Sequence, residues 1–268
     1  MSKKAKITFL GTAGGRFTVI KQLRASGGWM LEMDGEMLHV DPGTGAVVRA
    51  NQNKFDLTKL TGILVSHNHA DHCADAGVMV EAMSRCSRKK RGVIIMNETA
   101  LKGSDDGLFV PVFSRYHLER VEKHRVLKPG ESGTVGKIKI TATPTKHGDP
   151  KGIGFVFEGS NKIGYTSDGE YVKGQENYFR GCDCLILNCM RPRGEDWPLH
   201  MNTYEAKKII EGARPEMAVL THFGMKMLRG IAEKEAAWIQ KETGITTMAA
   251  KDRMVLNLAD IGSLKRFI

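Results

Sequence analysis

An α/β protein, with two sheets packed together and helices outside, is the fold class this sequence predicts, and three observations predict it. Short apolar, β-rich runs recur through both halves of the chain. In each half the strands come first and helical patterns follow, which suits stacked sheets covered by helices. No linker rich in Pro, Gly or Ser interrupts the 268 residues, so a single domain, 1–268, is expected, long enough to bury a substantial core. Hydrophobic content of 41% and charged content of 26% are ordinary for a soluble globular chain. No run approaches the roughly 18 apolar residues of a membrane span, so no membrane partner is expected. The opening MSKKAKITFLG has too short an apolar run for a secretory leader, which makes a cytoplasmic location the expectation.

The elements follow in order. Lys6–Leu10 (KITFL) is β-rich and stops at the turn GTAGGRF. Runs at Gly28–Met33 and Glu36–Val40 flank Asp34-Gly35, and an Asp-Gly pair between apolar runs signals a hairpin because type I′ turns need positive φ. HVDPGTGAVVRA turns and enters a short helix, and Thr61–Val65 is a strand apolar enough to be buried on both faces. From Asp71 onward, DHCADAGVMVEAMSRC places Ala, Val and Met at helical spacing. The helix is expected to run into the basic cluster Arg88–Arg91, a solvated helix end, with Gly92 as its stop. In the second half, strands are expected at Arg125–Leu127, Lys137–Thr143, Gly154–Glu158, Lys162–Tyr165, Leu185–Leu187 and Ala218–Thr221, with a closing strand at Met254–Leu258. Helices are expected at Tyr204–Glu211 and Gly230–Lys241.

Cys182, Cys184 and Cys189 lack the paired spacing of a zinc knuckle, and an odd total of 5 cysteines does not read as a disulfide framework. They are expected to be reduced, half-buried strand residues. The formal charge of +10 favours anionic partners, either a small molecule or a nucleic acid, without deciding the fold. The glycine loop Gly11–Gly15 follows a strand but leads into no helix of the dinucleotide-binding kind, so it reads as a tight turn.

The chemistry concentrates in VSHNHADH. His67, His69, Asp71 and His72 crowd where a buried strand ends and a helix begins, and the chain has only 9 histidines in all. Imidazole nitrogen and carboxylate oxygen are ligands that zinc, manganese and iron all accept. His67 and His69 share a face of an extended segment, whereas Asp71 and His72 lie on the first helical turn, so one peptide can serve two neighbouring ions. Further candidates stand at the ends of apolar runs beside a glycine: His147 in TPTKHGD, Asp168 in IGYTSDGE and His222 in VLTHFG.

Taken together, H-x-H-x-D-H followed by His147, Asp168 and His222, with ITFLGTAGG and HVDPG near the start, resembles the metallo-β-lactamase superfamily over about residues 6–258. The resemblance implies a four-layer αββα sandwich with two divalent metal ions at one edge of the sheets, zinc first among the candidates and manganese or iron acceptable. It places His67, His69 and His147 on one ion and Asp71, His72 and His222 on the other, with Asp168 bridging. Asp41 of HVDPG is either an orienting partner of the ligands or a turn residue before Pro42. Asp71 and His200 are the candidate catalytic residues.

Two adjacent divalent ions lower the pKa of water to roughly 7 and neutralise a dianionic transition state. That suits phosphodiesters, and equally lactones, thioesters or lactams. The stretch PLHMNTYEAKKIIEGARPEMAVLTHFG favours phosphodiesters, being similar to the His-Ser-Thr segment of ribonuclease Z and related phosphodiesterases, where the histidine contacts the scissile phosphate or protonates the leaving group. His200 would take that role, although Met201-Asn202 replaces Ser-Thr. Ribonuclease Z also carries a long arm for transfer RNA between the equivalents of His147 and Asp168. Residues 148–167 leave room only for two strands and a hairpin, which shifts the expectation to small phosphodiesters, cyclic phosphates or nucleotides, or RNA ends. Arg191 and Arg193, between Asp168 and His200, and Lys146 and Lys151, flanking His147, are candidate phosphate contacts. The alternatives are an acyl hydrolase on the same metals and a nucleic-acid-binding protein with a structural metal site. Dimers are frequent among phosphodiesterases of the superfamily, which leaves a homodimer open.

Overall fold

The computed structural model describes residues 5–260; Met1–Lys4 of the segment weighed as a leader lie outside them. The first half contains β1 (Lys6–Phe9), α1 (Arg16–Ile20), β2 (Trp29–Met33), β3 (Glu36–Val40), α2 (Ala46–Gln52), β4 (Gly62–Val65), α3 (Ala70–Cys73), α4 (Ala76–Met83), β5 (Val93–Met96), α5 (Glu98–Lys102), α6 (Arg115–Glu119) and β6 (Lys123–Val126). The second contains β7 (Ser132–Val135), β8 (Ile138–Pro144), β9 (Ile153–Glu158), β10 (Lys162–Tyr165), β11 (Cys184–Asn188), α7 (Thr203–Ala213), β12 (Met217–Thr221), α8 (Ile231–Thr243), β13 (Thr246–Ala249) and β14 (Val255–Asn257).

The strands form two seven-stranded mixed sheets, ordered β14-β1-β2-β3-β4-β5-β6 and β13-β12-β11-β10-β9-β8-β7. Strands β3 to β6 run parallel, as do β10 to β13. Helices cover the outer faces, so the architecture is the αββα sandwich. The predicted hairpin joins β2 to β3, and Asp34 (φ 53°) and Gly35 (φ 88°) both adopt the left-handed conformation its turn requires.

Side-chain alternation sorts the core into layers. Ile7, Phe9, Leu38 and Val40 of one sheet meet Phe155, Phe157, Ile186 and Val219 of the other. Trp29 contacts Phe157 and Tyr165 edge-on, each at 5.5 Å between ring centroids. The opposite faces meet the helices: Ile63 and Val65 pack with Met79 and Met83 of α4, and Leu185 and Leu187 pack with Ile209 and Ile210 of α7. Strand β4 is therefore buried on both faces, as its composition predicts.

Two expectations need correction. The helix after VSHNHADH is split into α3 and α4 and stops at Met83, well before the basic cluster. Arg85, Cys86 and Ser87 turn the chain through left-handed conformations (φ 54°, 57° and 61°). The Arg91 guanidinium donates to the carbonyls of Met83 (3.1 Å) and Thr58 (2.7 Å), satisfying a helix-end acceptor from outside the helix. Arg88–Lys90 are accordingly an exposed loop and no helix end. Cys182, Cys184 and Cys189 are fully buried where half-burial is expected. Burial pushes the thiols of Cys182 and Cys189 up to about 12.

Two stability predictions arise from the core. Phe157→Ala removes a ring from the junction of both sheets and should cost about 3–5 kcal/mol in urea unfolding, with no loss of the two-sheet fold. His39 is buried, donates from Nε2 to the Gly27 carbonyl (2.7 Å), and has its pKa lowered by burial from 6.5 to about 4. The unfolded chain thus takes up that proton first, so the His39 contribution is intact above pH 6.5 and lost as pH falls to 4. A series of unfolding midpoints across that window should fall more steeply for the parent than for His39→Leu.

Candidate metal centre

Every predicted ligand stands just beyond the C-terminal end of a strand, along one shared edge of the two sheets. His67 and His69 follow β4, Asp71 and His72 lie on α3, His147 follows β8, Asp168 follows β10 and His222 follows β12. The strand ends are stiff because both their faces are packed, and only the loops beyond them can turn polar atoms inward.

The side chains converge in two trios. Donor atoms of His67, His69 and His147 lie within 4.8 Å of one another, as do those of Asp71, His72 and His222. Asp168 lies between them. Its Oδ2 is 3.9 Å from Nε2 of His67, 3.7 Å from His147, 3.5 Å from His72 and 3.2 Å from His222. Its Oδ1 accepts a hydrogen bond from Asn188 Nδ2 at 2.6 Å, which aims the other oxygen at the imidazoles.

The hydrogen bonds behind the histidines decide which nitrogen faces inward. Asp41 Oδ2 accepts from His72 Nδ1 (2.9 Å), Tyr165 OH (2.7 Å) and Ser66 Oγ (2.7 Å). Because the Ser66 hydroxyl donates to Asp41, it accepts from His67 Nδ1 at 2.9 Å. His147 Nδ1 donates to the Leu199 carbonyl at 2.8 Å. In His67 and His147 the N–H thus points away from the centre and Nε2 faces it, while in His72 the Nδ1–H is held outward by Asp41 and Nε2 likewise faces inward. Asp41 is thus an orienting partner, bonded to two of the site's segments, and more than a turn residue.

His67 Nε2 is the sharpest test of whether a cation fits. It is buried and has no hydrogen-bond partner among the described residues. Burial, reinforced by His72 and His147, holds the His67 pKa well below its ordinary value, so a proton does not satisfy it. Burial likewise lowers His69 to about 4. On the other side, burial alone would depress His72 and raise Asp168. Instead Asp168 and Asp71 hold His72 well above its usual value, while His222 and His72 hold Asp168 well below its own. An unpartnered Nε2 on His67, imidazoles of His67 and His69 kept neutral by burial, and ionised carboxylates beside the other trio make a centre that attracts positive charge, and the donor set suits zinc, manganese or iron.

His200 joins this centre from the loop before α7. Its Nε2 is 3.9 Å from Asp168 Oδ2, its Nδ1 donates to the Pro198 carbonyl at 3.1 Å, and its ring meets His147 edge-on at 4.8 Å. It does not cap α7: Asn202 does, in a reciprocal box with Glu205. The flanking cations are mostly engaged elsewhere. Arg193 pairs with Glu235 at 3.1 Å and stacks on Trp238, Lys146 pairs with Glu170, and Arg191 lies over Trp197. Lys151 is exposed and donates its backbone N–H to Asp149 at 3.0 Å.

The glycine turn Gly11–Gly15 packs directly behind His222. A Cβ on Gly14 would sit 2.1 Å from the His222 carbonyl oxygen and 2.4 Å from its Nδ1. Gly43 of DPGTG approaches Asp71 as closely, its would-be Cβ 1.7 Å from the Asp71 carbonyl oxygen.

With this geometry the relationship to known proteins becomes readable, since residues 37–223 match the family described as the beta-lactamase superfamily domain. The chain belongs to the β-lactamase superfamily. Within it, the chain is 37% identical over 251 residues to Uncharacterized protein MJ1374 of Methanocaldococcus jannaschii, covering 92% of this chain and 93% of that one. It is 26% identical over 267 residues to a ribonuclease Z of Methanopyrus kandleri, covering 85% and 90%. In fold it is similar to the metallo-β-lactamase fold protein YhfI of Bacillus subtilis (TM-score 0.76, 22% identity, 95% and 99% covered). It is also similar to a diphosphatase of the PhnP family (TM-score 0.71, 21% identity, 96% and 98% covered).

Sequence reasoning missed the buried network behind these candidate ligands. Asp149 accepts from Asn68 N (3.0 Å), Asn97 Nδ2 (2.8 Å), Thr99 Oγ1 (2.8 Å) and Lys151 N (3.0 Å), fixing the loop between His67 and His69. Its position two residues after His147 was the available signal. Ser66, Tyr165 and Asn188 carried none, because each lies within or next to an apolar run.

Gly14→Ala tests how closely the glycine turn backs the centre. It should lower the number of divalent ions retained after dialysis, read by atomic absorption, whereas Gly35→Ala in the β2–β3 turn should lower stability without changing metal content.

Proposed function

We propose that the chain is a dinuclear metal-dependent phosphodiesterase acting on a small phosphodiester, a cyclic phosphate or nucleotide, or an RNA end. His67, His69 and His147 would hold one divalent ion, Asp71, His72 and His222 the other, and Asp168 would bridge them. Bound there, the ions would supply Lewis acidity towards a phosphoryl oxygen and acidify water to a pKa of roughly 7.

The observation that carries the reading is His200. It lies outside both trios yet directs Nε2 to the same point as their members, 3.9 Å from Asp168 Oδ2. Its Nδ1 is held by the Pro198 carbonyl, which also stabilises the cationic ring. Burial lowers its pKa against the pull of Asp168, which makes its protonated form a stronger donor to a leaving alkoxide. Asp71, with a side chain 21% exposed against 3% for Asp168, is the carboxylate placed to accept a hydrogen bond from an attacking water. Similarity to a ribonuclease Z supports phosphodiester chemistry. A short turn carrying Asp149 and the β9–β10 hairpin fill the interval between His147 and Asp168, which favours substrates that need no arm to grip them.

The protein reconstituted with zinc or manganese should hydrolyse bis(p-nitrophenyl) phosphate. His200→Ala should reduce kcat by about 10²–10⁴-fold while keeping its metal. Asp168→Ala and His67→Ala should lose both metal and rate. A loaded protein that leaves the phosphodiester intact but cleaves a thioester or lactone would replace this reading with the acyl-hydrolase one.

A further inference from the structure

We propose that Trp197 is a stacking platform for the base of a nucleotide whose phosphate lies at His200 and the two trios of the candidate metal centre. The inference rests on the phosphodiesterase reading and narrows its substrate to one carrying a nucleobase.

A cleft of about 910 Å³ opens beside His200, lined by Trp197, Pro198, Tyr204 and Lys208 among others. That is ample for a nucleotide-sized ligand. Two large aromatic side chains line it half-exposed, Trp197 at 51% and Tyr204 at 50%. Trp197 is also held rigidly. The His200 N–H donates to the Trp197 carbonyl at 3.1 Å, and the two residues form an antiparallel bridge. The main chain that carries the indole is therefore tied to the one that carries the His200 imidazole. The Arg191 guanidinium lies over the indole at 4.5 Å, a cation–π contact that anchors the ring from one side.

The cleft lining carries Glu170, Asp196, Glu205 and Glu211 against Lys207 and Lys208, a negative balance that suits a neutral base and leaves the phosphate to His200 and the two trios. Its carboxylates are already engaged: Asp196 accepts from Asn202 Nδ2 at 2.7 Å, Glu205 from the backbone of Asn202 and Tyr171, and Glu211 from Lys207 at 2.8 Å. Lys208 makes no ion pair among the described residues; its ammonium lies 5.6 Å from the Tyr171 ring. A flat, anchored indole beside a proton-donating imidazole provides a π-face for any base without reading its identity. A bare sugar phosphate would leave that face unused.

The test compares adenosine 5′-monophosphate with ribose 5-phosphate by calorimetric titration into the zinc-loaded protein, with inorganic phosphate as the reference ligand. The parent should bind the adenosine compound about 5- to 150-fold more tightly than the ribose compound, the factor expected of one stacked base. Trp197→Ala should abolish the difference, Trp197→Phe should keep most of it, and both variants should match the parent in metal content and phosphate affinity. Equal binding of the two ligands by the parent, or a preference that survives Trp197→Ala, overturns the role of Trp197 while the phosphate site stands. Failure of all three ligands, phosphate included, removes the phosphodiesterase reading and this one with it.

Discussion

One oxygen of Asp168 lies within 4 Å of five imidazole nitrogens, and most of the structure around the centre exists to make that tolerable. A carboxylate this buried costs several kcal/mol unless positive charge or donors meet it. Two of the histidines, His67 and His147, spend their N–H groups on Ser66 and Leu199, so what they offer Asp168 is a lone pair. Lone pairs facing a carboxylate repel it, and a cation between them turns every contact attractive. The hydrogen bonds between the imidazoles and from His222 to Asp71 leave His67 Nε2 without a partner, and a cation would complete what that network does not.

Asp41 makes the arrangement directional. It lies one strand away from the convergence point and sends no oxygen into it, yet it fixes His72 directly and His67 through the Ser66 hydroxyl. Its own backbone is left-handed (φ 53°), as are those of Ser167 (φ 57°), Leu199 (φ 62°) and His222 (φ 61°). Such conformations cost on the order of 1–3 kcal/mol each in non-glycine residues and persist where the surroundings over-determine them. Here Asp41 and His222 directly follow the last residues of β3 and β12, and Leu199 is held by the His147 Nδ1–H on its carbonyl and by its own N–H on Glu170. The same edges explain the glycines: Gly14 and Gly43 let backbone press against His222 and Asp71, where any side chain would push a ligand away.

What the sequence revealed and what it hid divide along this line. The candidate ligands are readable because polar residues at the ends of apolar runs have no structural reason to be there. The strands that hold them were readable because VSHNHADH, TPTKHGD and VLTHFG each follow a β-rich run. The edge strands β7 (SGTV) and β13 (TTMA) were not, since a strand with one neighbour and a polar face lacks the apolar signal. The end of α4 was hidden for a different reason. Helical periodicity continues through Arg85, and what stops the helix is a tertiary contact, the Arg91 guanidinium reaching back to Met83. The orienting layer of Asp41, Ser66, Asp149 and Asn188 shows the same limit, because its members are recognisable only by what they touch.

The departure from the ribonuclease Z pattern at Met201-Asn202 is also resolved by contacts. A Ser-Thr pair before a helix offers a hydroxyl for its first N–H groups, and Asn202 performs that task with its side-chain oxygen, accepting from Glu205 N at 3.0 Å. Glu205 answers by accepting from Asn202 N and extends to Tyr171 N, so the start of α7 is tied to the loop that follows Asp168. Met201 is buried in the layer beneath α7, and in an extended segment its neighbour His200 must then face the opposite way, towards the centre. The replacement thus preserves the cap, and the cap with the buried methionine sets the direction of His200. The loop that bears Trp197 can consequently vary in its outer residues without disturbing the histidine it delivers.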